Sequence, residues 1–537
     1  MVHHFLRISA LVLTLAAAAS ILWPPFAWSF IIIGPVFLVG VADALQRKQA
    51  VRRNFPLIGH LRYLFEAIRP EISQYFIETN TDGKPFSREQ RSLVYQRAKH
   101  ELQTVPFGTQ QDLYEVGAEW INHSLDARAP KEREHRVTIG LPETRRPYQA
   151  ALLNISAMSF GSLSKNAVLA LNRGAAEGGF FHNTGEGGLS PYHLAGGGDL
   201  CWQIGTGYFS CRTPDGRFDR GLFAERAAEP AVKLIELKLS QGAKPGHGGI
   251  LPAAKITPEI AEIRGVPMGE SVVSPPVHSA FSGAVGLLEF LGELRELSGG
   301  KPVGFKLCVG NRAEFLAIAR AIQETGFAPD FITVDGAEGG TGAAPLEFSN
   351  SVGWPLTEGL LFVHNALIGF GVRDGIRLIA AGKIVSAFDM VKRIALGADL
   401  CNAARAMMFA LGCIQARQCH SNRCPVGVAT QNPRLVRGLS IEDKLARVAN
   451  YQRETIQGFL ELLGAAGLES PEELGPSHIL RRVSPTEIRT YAEIHHVLEP
   501  GQLLDAAPRL PEPWRLLLEE SRASRVVERE QPVAMTT

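Results

Sequence analysis

Residues 303–335 read VGFKLCVGNRAEFLAIARAIQETGFAPDFITVD. Val303–Val309 is a short apolar run, Ala313–Glu324 carries apolar residues at helical spacing, and Phe331–Asp335 is a second apolar run. Strands apolar along their whole length are covered on both faces, and two of them joined by a helix make a parallel βαβ unit. The same texture continues outward in both directions. Ala151–Met158, Gly179–Asn183, Leu234–Ser240, Ile376–Ala380 and Asp399–Ala403 read as further buried strands, and Ala387–Leu396 as another helix. Strand–helix alternation repeated about eight times predicts an α/β chain closed into a (β/α)8 TIM barrel. In such barrels ligand-binding groups stand at the C-terminal ends of the strands.

The bulk composition excludes several alternatives. Lys plus Arg number 55 against 54 for Asp plus Glu in 537 residues, so no global field favours nucleic acid. The seven cysteines are odd in number and three crowd into twelve positions, unlike a secreted disulfide framework. Glycine, at 54 residues, gathers in runs such as Gly196–Gly198 and Gly339–Gly340, as where backbone approaches a ligand.

The N-terminus carries two apolar stretches, residues 5–22 and 26–43, separated by Trp23-Pro24-Pro25. Each is about long enough to cross a hydrocarbon core of ~30 Å, and the prolines break the helix between them. Trp23 and Trp28 flank the turn, while Arg7 precedes the first stretch and Arg47, Lys48, Arg52 and Arg53 follow the second. The positive-inside rule then puts both ends on the cytoplasmic side of a cell inner membrane. A cleaved signal peptide is the competing reading, because Ala16–Ser20 offers small residues after a basic start, but it leaves the second stretch unexplained. The expected organisation is a transmembrane hairpin (1–46), a mixed helical extension (47–150), the barrel (151–470) and a C-terminal extension (471–537). Residues 522–537 read as a frayed tail, and Glu89–Leu102 as an amphipathic helix.

After the last barrel strand comes Cys413-x5-Cys419-x4-Cys424-Pro425. Three thiolates on a short irregular segment can ligate one iron–sulfur cluster, and a following proline keeps the chain out of helix. Three buried structural cysteines are the plain alternative, yet Arg417, Gln418, His420, Ser421, Asn422 and Arg423 do not make a core sequence. Zinc would need His420 as a fourth ligand.

The segment Cys413–Gln431, CIQARQCHSNRCPVGVATQ, resembles the cluster-binding segment of glutamate synthases. Four more stretches match that family in the same order: Ser156–Ser164 (SAMSFGSLS), Thr184–Gly188 (TGEGG), Gln241–Gly246 (QGAKPG) and Asp335–Pro345, with GGTGA at 339–343. The resemblance runs from about residue 100 to 470, and five ordered motifs make coincidence a poor explanation. It implies an FMN-binding barrel with a 3Fe-4S cluster held by Cys413, Cys419 and Cys424.

On that resemblance, Ala157, Met158 and Ser159 end the first strand against the flavin ring, with Gln203 as a further contact. Lys306, a charge inside an apolar strand, is either the partner of flavin N1 or paired with a structural carboxylate. Asp335, Gly339, Gly340 and Thr341 form the next turn. Gly382-Lys383 and Ala403-Ala404-Arg405 occupy the positions where such barrels hold phosphate. Glu186 and Lys244 match the residues that hold 2-oxoglutarate and its imine, although a surface ion pair between two loops would read the same way. The match is broken at one point: Lys244-Pro-Gly-His247-Gly-Gly-Ile250 carries isoleucine where the family has glutamine, and isoleucine cannot hydrogen-bond a carboxylate.

The implied activity is reduction of the imine of a 2-oxo acid and ammonia, with glutamate as product. A different carbonyl, imine or amino-acid substrate is the second reading, and a membrane-anchored flavin and iron–sulfur electron carrier the third. The chain shows no amidotransferase segment with a catalytic N-terminal cysteine, and no Gly-x-Gly-x-x-Gly turn after a strand. Ammonia is therefore expected from elsewhere, and electrons from a partner, a ferredoxin or a reductase subunit.

Overall fold

A computed structural model describes residues 2–101, 104–129, 135–141, 144, 146–504 and 510–523. The chain divides into two compact units, Met1–Arg88 and Glu89–Thr537. The expected extension 47–150 is thus shared between them.

The first unit is helical. Val2–Leu22 and Pro24–Leu45 are both long and apolar enough to cross a membrane, and they stand almost wholly exposed. A short 3-10 turn, Pro24–Ser29, opens the second, as the two prolines require. The end of Phe30–Leu45 is braced: Asp43 is buried, and its carboxylate receives the Leu57 N–H at 3.0 Å and meets His60 Nε2 at 2.8 Å. The following helix, Gly59–Ile72, leaves Leu61, Leu64, Phe65 and Ile68 uncovered.

The second unit is built on eight parallel strands closed into a barrel in chain order. They are β1 (Leu153–Ile155), β2 (His182–Asn183), β3 (Leu200–Ile204), β4 (Val232–Lys238), β5 (Val303–Leu307), β6 (Phe331–Asp335), β7 (Arg377–Ala381) and β8 (Leu400–Ala403). β8 closes the ring by pairing with β1, with Cys401 opposite Leu153. Nearly every strand residue is buried, as the continuous apolar runs require.

The stretch 151–158 does not form one strand. Tyr148–Ala151 pairs antiparallel with Arg136–Ile139, and only Leu153–Ile155 enters the barrel. That hairpin closes the N-terminal end: Ile139 and Ala150 pack with Phe181, Cys201, Leu234, Phe331, Ile379 and Leu400 at the starts of the strands. Asp330, fully buried, ties the closure together by accepting from Leu141 N, Thr144 Oγ1, Val303 N and Arg295 Nη2. With the barrel interior sealed at this end, its interior opens at the C-terminal end of the strands.

The C-terminal extension also packs into this unit, since Ile479–Ser484 pairs with Glu119–Ile121 and with Glu487–Thr490. The expected amphipathic helix is present as Arg88–Lys99. The expected tail lies, beyond Ala523, outside the described residues.

Candidate active site at the barrel mouth

Polar side chains occupy the upper barrel interior, where they must find partners. Glu236 on β4 is fully buried and accepts from Asn183 Nδ2 (2.8 Å), Gln203 Nε2 (2.5 Å) and Thr333 Oγ1 (2.7 Å). Gln203 is therefore anchored from below. Lys306 on β5 pairs with Asp335 at 3.2 Å, and the same carboxylate accepts the Gly242 N–H at 3.0 Å. Burial alone would lower the Lys306 pKa, but the nearby Asp335 and Glu236 carboxylates outweigh it and hold the ammonium charged. Lys306 thus pairs with a carboxylate and still keeps a cation at the end of β5.

Around Asp335 the backbone comes unusually close to itself. A Cβ on Gly242 would collide with the Gly336 carbonyl, and Gly382 sits at φ +135°, where its absent side chain lets it lie against Gly336. A Cβ on Gly340 would come within 2.7 Å of the Arg405 guanidinium. Arg405 Nη2 donates to the Glu338 carbonyl at 2.8 Å, and burial pushes its pKa down to about 10 against the pull of Asp335 and Glu338. Lys383 takes a left-handed φ of 50°, uncommon for a residue with a side chain. A glycine-lined backbone cradle after β6 and β7 with Lys383 and Arg405 beside it suits a phosphate monoester. Ala403 and Ala404 lie in the same turn, and the Ala403 carbonyl accepts Ser156 N–H at 3.0 Å.

On the other side of the mouth Met158 N donates to Asn183 O at 3.3 Å, and Ser159 Oγ accepts from Gly187 N at 3.1 Å. A Cβ at Gly185 (φ +66°) would stand 2.6 Å from that hydroxyl, so the Thr184–Gly188 loop can fold over Ala157–Ser159 only as glycine. Gly339 and the exposed Thr341 rim the opening. Among the described residues, two buried polar atoms here have no partner: Asn402 Oδ1 on β8 and Gln241 Nε2 after β4. Orphaned groups at a barrel mouth fit a polar planar ligand that would satisfy them. The cradle and these atoms fit FMN.

Glu186, whose loop crosses the mouth, pairs with Lys238 at 2.8 Å rather than with Lys244. Lys238 also donates to Gln241 Oε1 at 2.7 Å. Gly205 and Gly249 wrap this carboxylate so closely that a Cβ on either would strike it. Burial pushes the Glu186 pKa up, yet Lys238, Lys244 and Arg264 together bring it below the ordinary carboxylate value. Lys244, buried, donates to the Ala343 carbonyl at 3.1 Å. Its pKa falls to about 8, through burial first and Lys238 repulsion after, with Glu186 pulling the other way. Arg264 is buried too, donates to Phe160 O at 3.1 Å and lies over the Phe209 ring. Three cations thus converge on one carboxylate. Such an excess suits a dianionic guest.

Sequence reading found Glu186 and Lys244 and passed over Lys238 and Arg264. Lys238 carried the same signal as Lys306, a charge at the end of an apolar strand. Arg264 carried none, since it ends an ordinary helix, Pro258–Arg264. Ile250 is half-buried next to the glycine that wraps Glu186, in a short strand paired with Val272–Val273. His247 meets the edge of Phe348.

Cys413, Cys419 and Cys424 sit on an irregular loop with Gln415, Arg417 and Asn422 all at left-handed φ. The loop is tied to the mouth: Gln431 Nε2 donates to the Gly161 and Leu163 carbonyls, and Asn422 Nδ2 to Ala254 O. The Cys413 thiol is pushed up to about 12 by burial, with Cys419 and Cys424 adding to the shift, so the three share one neighbourhood. Among the described residues no three His, Cys, Asp or Glu side chains close to the distances of a single metal ion. The buried Lys255 lies in the electrostatic field of Cys419 and Cys424.

Residues 111–469 match the family model described as the conserved region in glutamate synthase. The chain is 36% identical over 501 residues to the glutamate synthase large subunit-like protein YerD of Bacillus subtilis (strain 168), covering 85% of this chain and 92% of that one. It is 37% identical over 321 residues to the archaeal glutamate synthase (NADPH) of Methanocaldococcus jannaschii, covering 60% of each. Of solved structures, a mandelate oxidase variant with benzaldehyde aligns with 80% of this chain and 98% of its own at 18% identity and a TM-score of 0.40, which adds nothing to the fold already traced.

Proposed function

From the chain's membership of the glutamate synthase family of oxidoreductases, we propose that it reduces the imine of a 2-oxo acid and ammonia to the amino acid, with 2-oxoglutarate and glutamate as the pair. The observation that carries this reading is the buried group of Lys238, Lys244 and Arg264 around Glu186 at the barrel mouth. The net reaction consumes one 2-oxo acid, one ammonia, two electrons and two protons, and releases water. Bound FMN would supply the hydride, and a cluster on Cys413, Cys419 and Cys424 would feed it single electrons from a separate donor such as a ferredoxin or a reductase subunit.

The protein's own groups do the rest. Arg264, whose Nε has no partner, and Lys244 hold the carboxylates of the acid. Lys244 Nζ, with a pKa of about 8, is close enough to neutrality to give a proton to the imine nitrogen and recover it from water. Lys238 fixes the Glu186 carboxylate and Gln241 in place, and the wrapping glycines exclude water from that carboxylate. Lys306 keeps a positive charge at the end of β5, where it favours a reduced, anionic flavin.

Dithionite-reduced, FMN-loaded protein given 2-oxoglutarate and ammonium should form glutamate, detected by chromatography. Flavin reoxidation without any amino acid would leave the electron-carrier reading. A second substrate reading is favoured by Ile250, half-buried and next in sequence to the Gly249 that wraps Glu186. Amino-acid formation from an apolar 2-oxo acid in preference to 2-oxoglutarate would establish it.

We also propose that Val2–Leu45 anchors the barrel to the cytoplasmic face of the cell inner membrane. Two exposed apolar helices and the arginines that follow them support this. The uncovered Leu61, Phe65 and Ile68 on Gly59–Ile72 suit a helix lying in the interface behind such a hairpin.

A further inference from the structure

At the sealed end of the barrel, away from the mouth, lies a cleft of about 680 Å³. It is bounded by the closing hairpin and by the segments that lead into β2, β3, β4 and β5. Among the described residues its charged lining is Arg146, Lys233 and Lys301 with the carboxylate Asp199, and Arg136, which donates to the Gly179 carbonyl, borders it. That carboxylate is already engaged: it accepts from Tyr148 Oη at 3.0 Å and stands 3.7 Å from Lys233 Nζ. Lys301 is only 4% exposed, and its Nζ donates to the carbonyls of Ala227 and Glu229. Among the described residues neither Lys301 nor Arg146 has a carboxylate within ion-pair distance. The crowding is felt by Lys301, whose pKa falls to about 8 through burial and then through repulsion by Arg146 and Lys233, with the Glu229 carboxylate pulling the other way.

Burying a cation beside other cations is costly, and the Ala227 and Glu229 carbonyls that Lys301 Nζ meets at the end of helix Arg220–Ala227 offset only part of it. Family-type chemistry at the mouth does not use these residues either. We infer that this cleft binds a phosphate-bearing small molecule of nucleotide size. Arginine forks and lysine ammonium groups together meet the oxygens of a phosphate chain. The volume lies in the range of small-molecule sites, and the exposed Pro147 offers an apolar surface for a ring. Because the cleft is at the other end of the strands, its ligand does not compete with the mouth.

The test is a calorimetric titration of the full-length protein in detergent with ADP and with inorganic pyrophosphate, adenosine and glutarate serving as controls. Each titration is run with and without saturating FMN, so that binding in the flavin cradle is recognised by its loss when FMN is present. Saturable binding of ADP and pyrophosphate that survives FMN is expected, with no binding of adenosine. Arg146→Glu, on an exposed residue, should weaken it by about tenfold or more, since it replaces a charge-assisted contact with repulsion. Lys301→Met should do the same; if that variant does not fold, Lys233→Ser takes its place. No saturable binding up to millimolar concentration, or binding that Arg146→Glu leaves unchanged, overturns the inference. Glutarate binding as tightly as pyrophosphate overturns the phosphate assignment.

Discussion

Replacing Lys238 with methionine removes the one cation that, among the described residues, is in direct contact with Glu186. The pair is 2.8 Å apart with side chains only 9% and 15% exposed, so the surviving carboxylate would be buried without its partner. Breaking such a pair costs about 3–5 kcal/mol. The lower end applies here, because Lys244 and Arg264 still act on Glu186. At roughly 2.1 cal/mol/K per residue, the unit Glu89–Thr537 has an unfolding entropy of roughly 0.9 kcal/mol/K. Lys238→Met should therefore lower Tm by about 3 °C in calorimetry. Glu186→Gln, which leaves three cations without their carboxylate, should lower it comparably. The double variant should lose less than the sum, with a coupling of about 1.5–3 kcal/mol. The pH dependence has a definite sign. Glu186 is held below its ordinary value of 4.5, so its contribution is full above that value and is lost as pH falls through the lowered one. Lys238→Met should weaken that acid-side loss. Single-variant effects that add to within about 0.5 kcal/mol would refute the reasoning.

Four further outcomes follow from the site and the anchor. Binding of 2-oxoglutarate, followed by FMN fluorescence, should weaken as pH rises through about 8 while Lys244 loses its charge, and Lys244→Gln should bind weakly with a flat profile; a sloping profile in that variant would remove Lys244 from the role. Cys419→Ser should lose cluster iron from about three per chain, and full iron with an unchanged spectrum would count against the cluster. Full-length protein should stay in the membrane pellet after alkaline carbonate washing, whereas complete release would rule out the hairpin. Ile250→Gln should tighten 2-oxoglutarate binding by roughly 1.5–3 kcal/mol, about ten- to hundredfold, if the isoleucine faces the acid; no change would reduce Ile250 to a packing residue.

The barrel was legible because most of its strands are buried on both faces and so read as unbroken apolar runs. β3 escaped that reading: its segment, Leu-Cys-Trp-Gln-Ile, contains Gln203, which turns inward to Glu236 instead of packing. The closing hairpin escaped it as well, since Arg136, Thr138 and Gln149 alternate with apolar residues over strands only four residues long. In the site, the motif residues Glu186 and Lys244 could be picked out, and Lys306 by its charge. Which cation meets Glu186 could not, because sequence spacing does not say that the end of β4 and the Thr184–Gly188 loop touch.

Arg264 shows most clearly what the fold adds. It reaches the mouth from a helix end twenty residues past Lys244, in the excursion between β4 and β5 that also carries Gly249, Ile250 and Lys255. Gly249 wraps Glu186, Arg264 adds to its field, and Lys255 donates to the Ser162 carbonyl while lying in the field of Cys419 and Cys424. One excursion therefore touches both the carboxylate at the mouth and the cysteine loop. A change of side chain within it, such as isoleucine at 250, falls next to the glycine that wraps Glu186 and outside every barrel strand. On the proposed function, this excursion would tune which acid the site accepts while the barrel strands and the cradle stay as they are, and the departure from the family's glutamine falls within it.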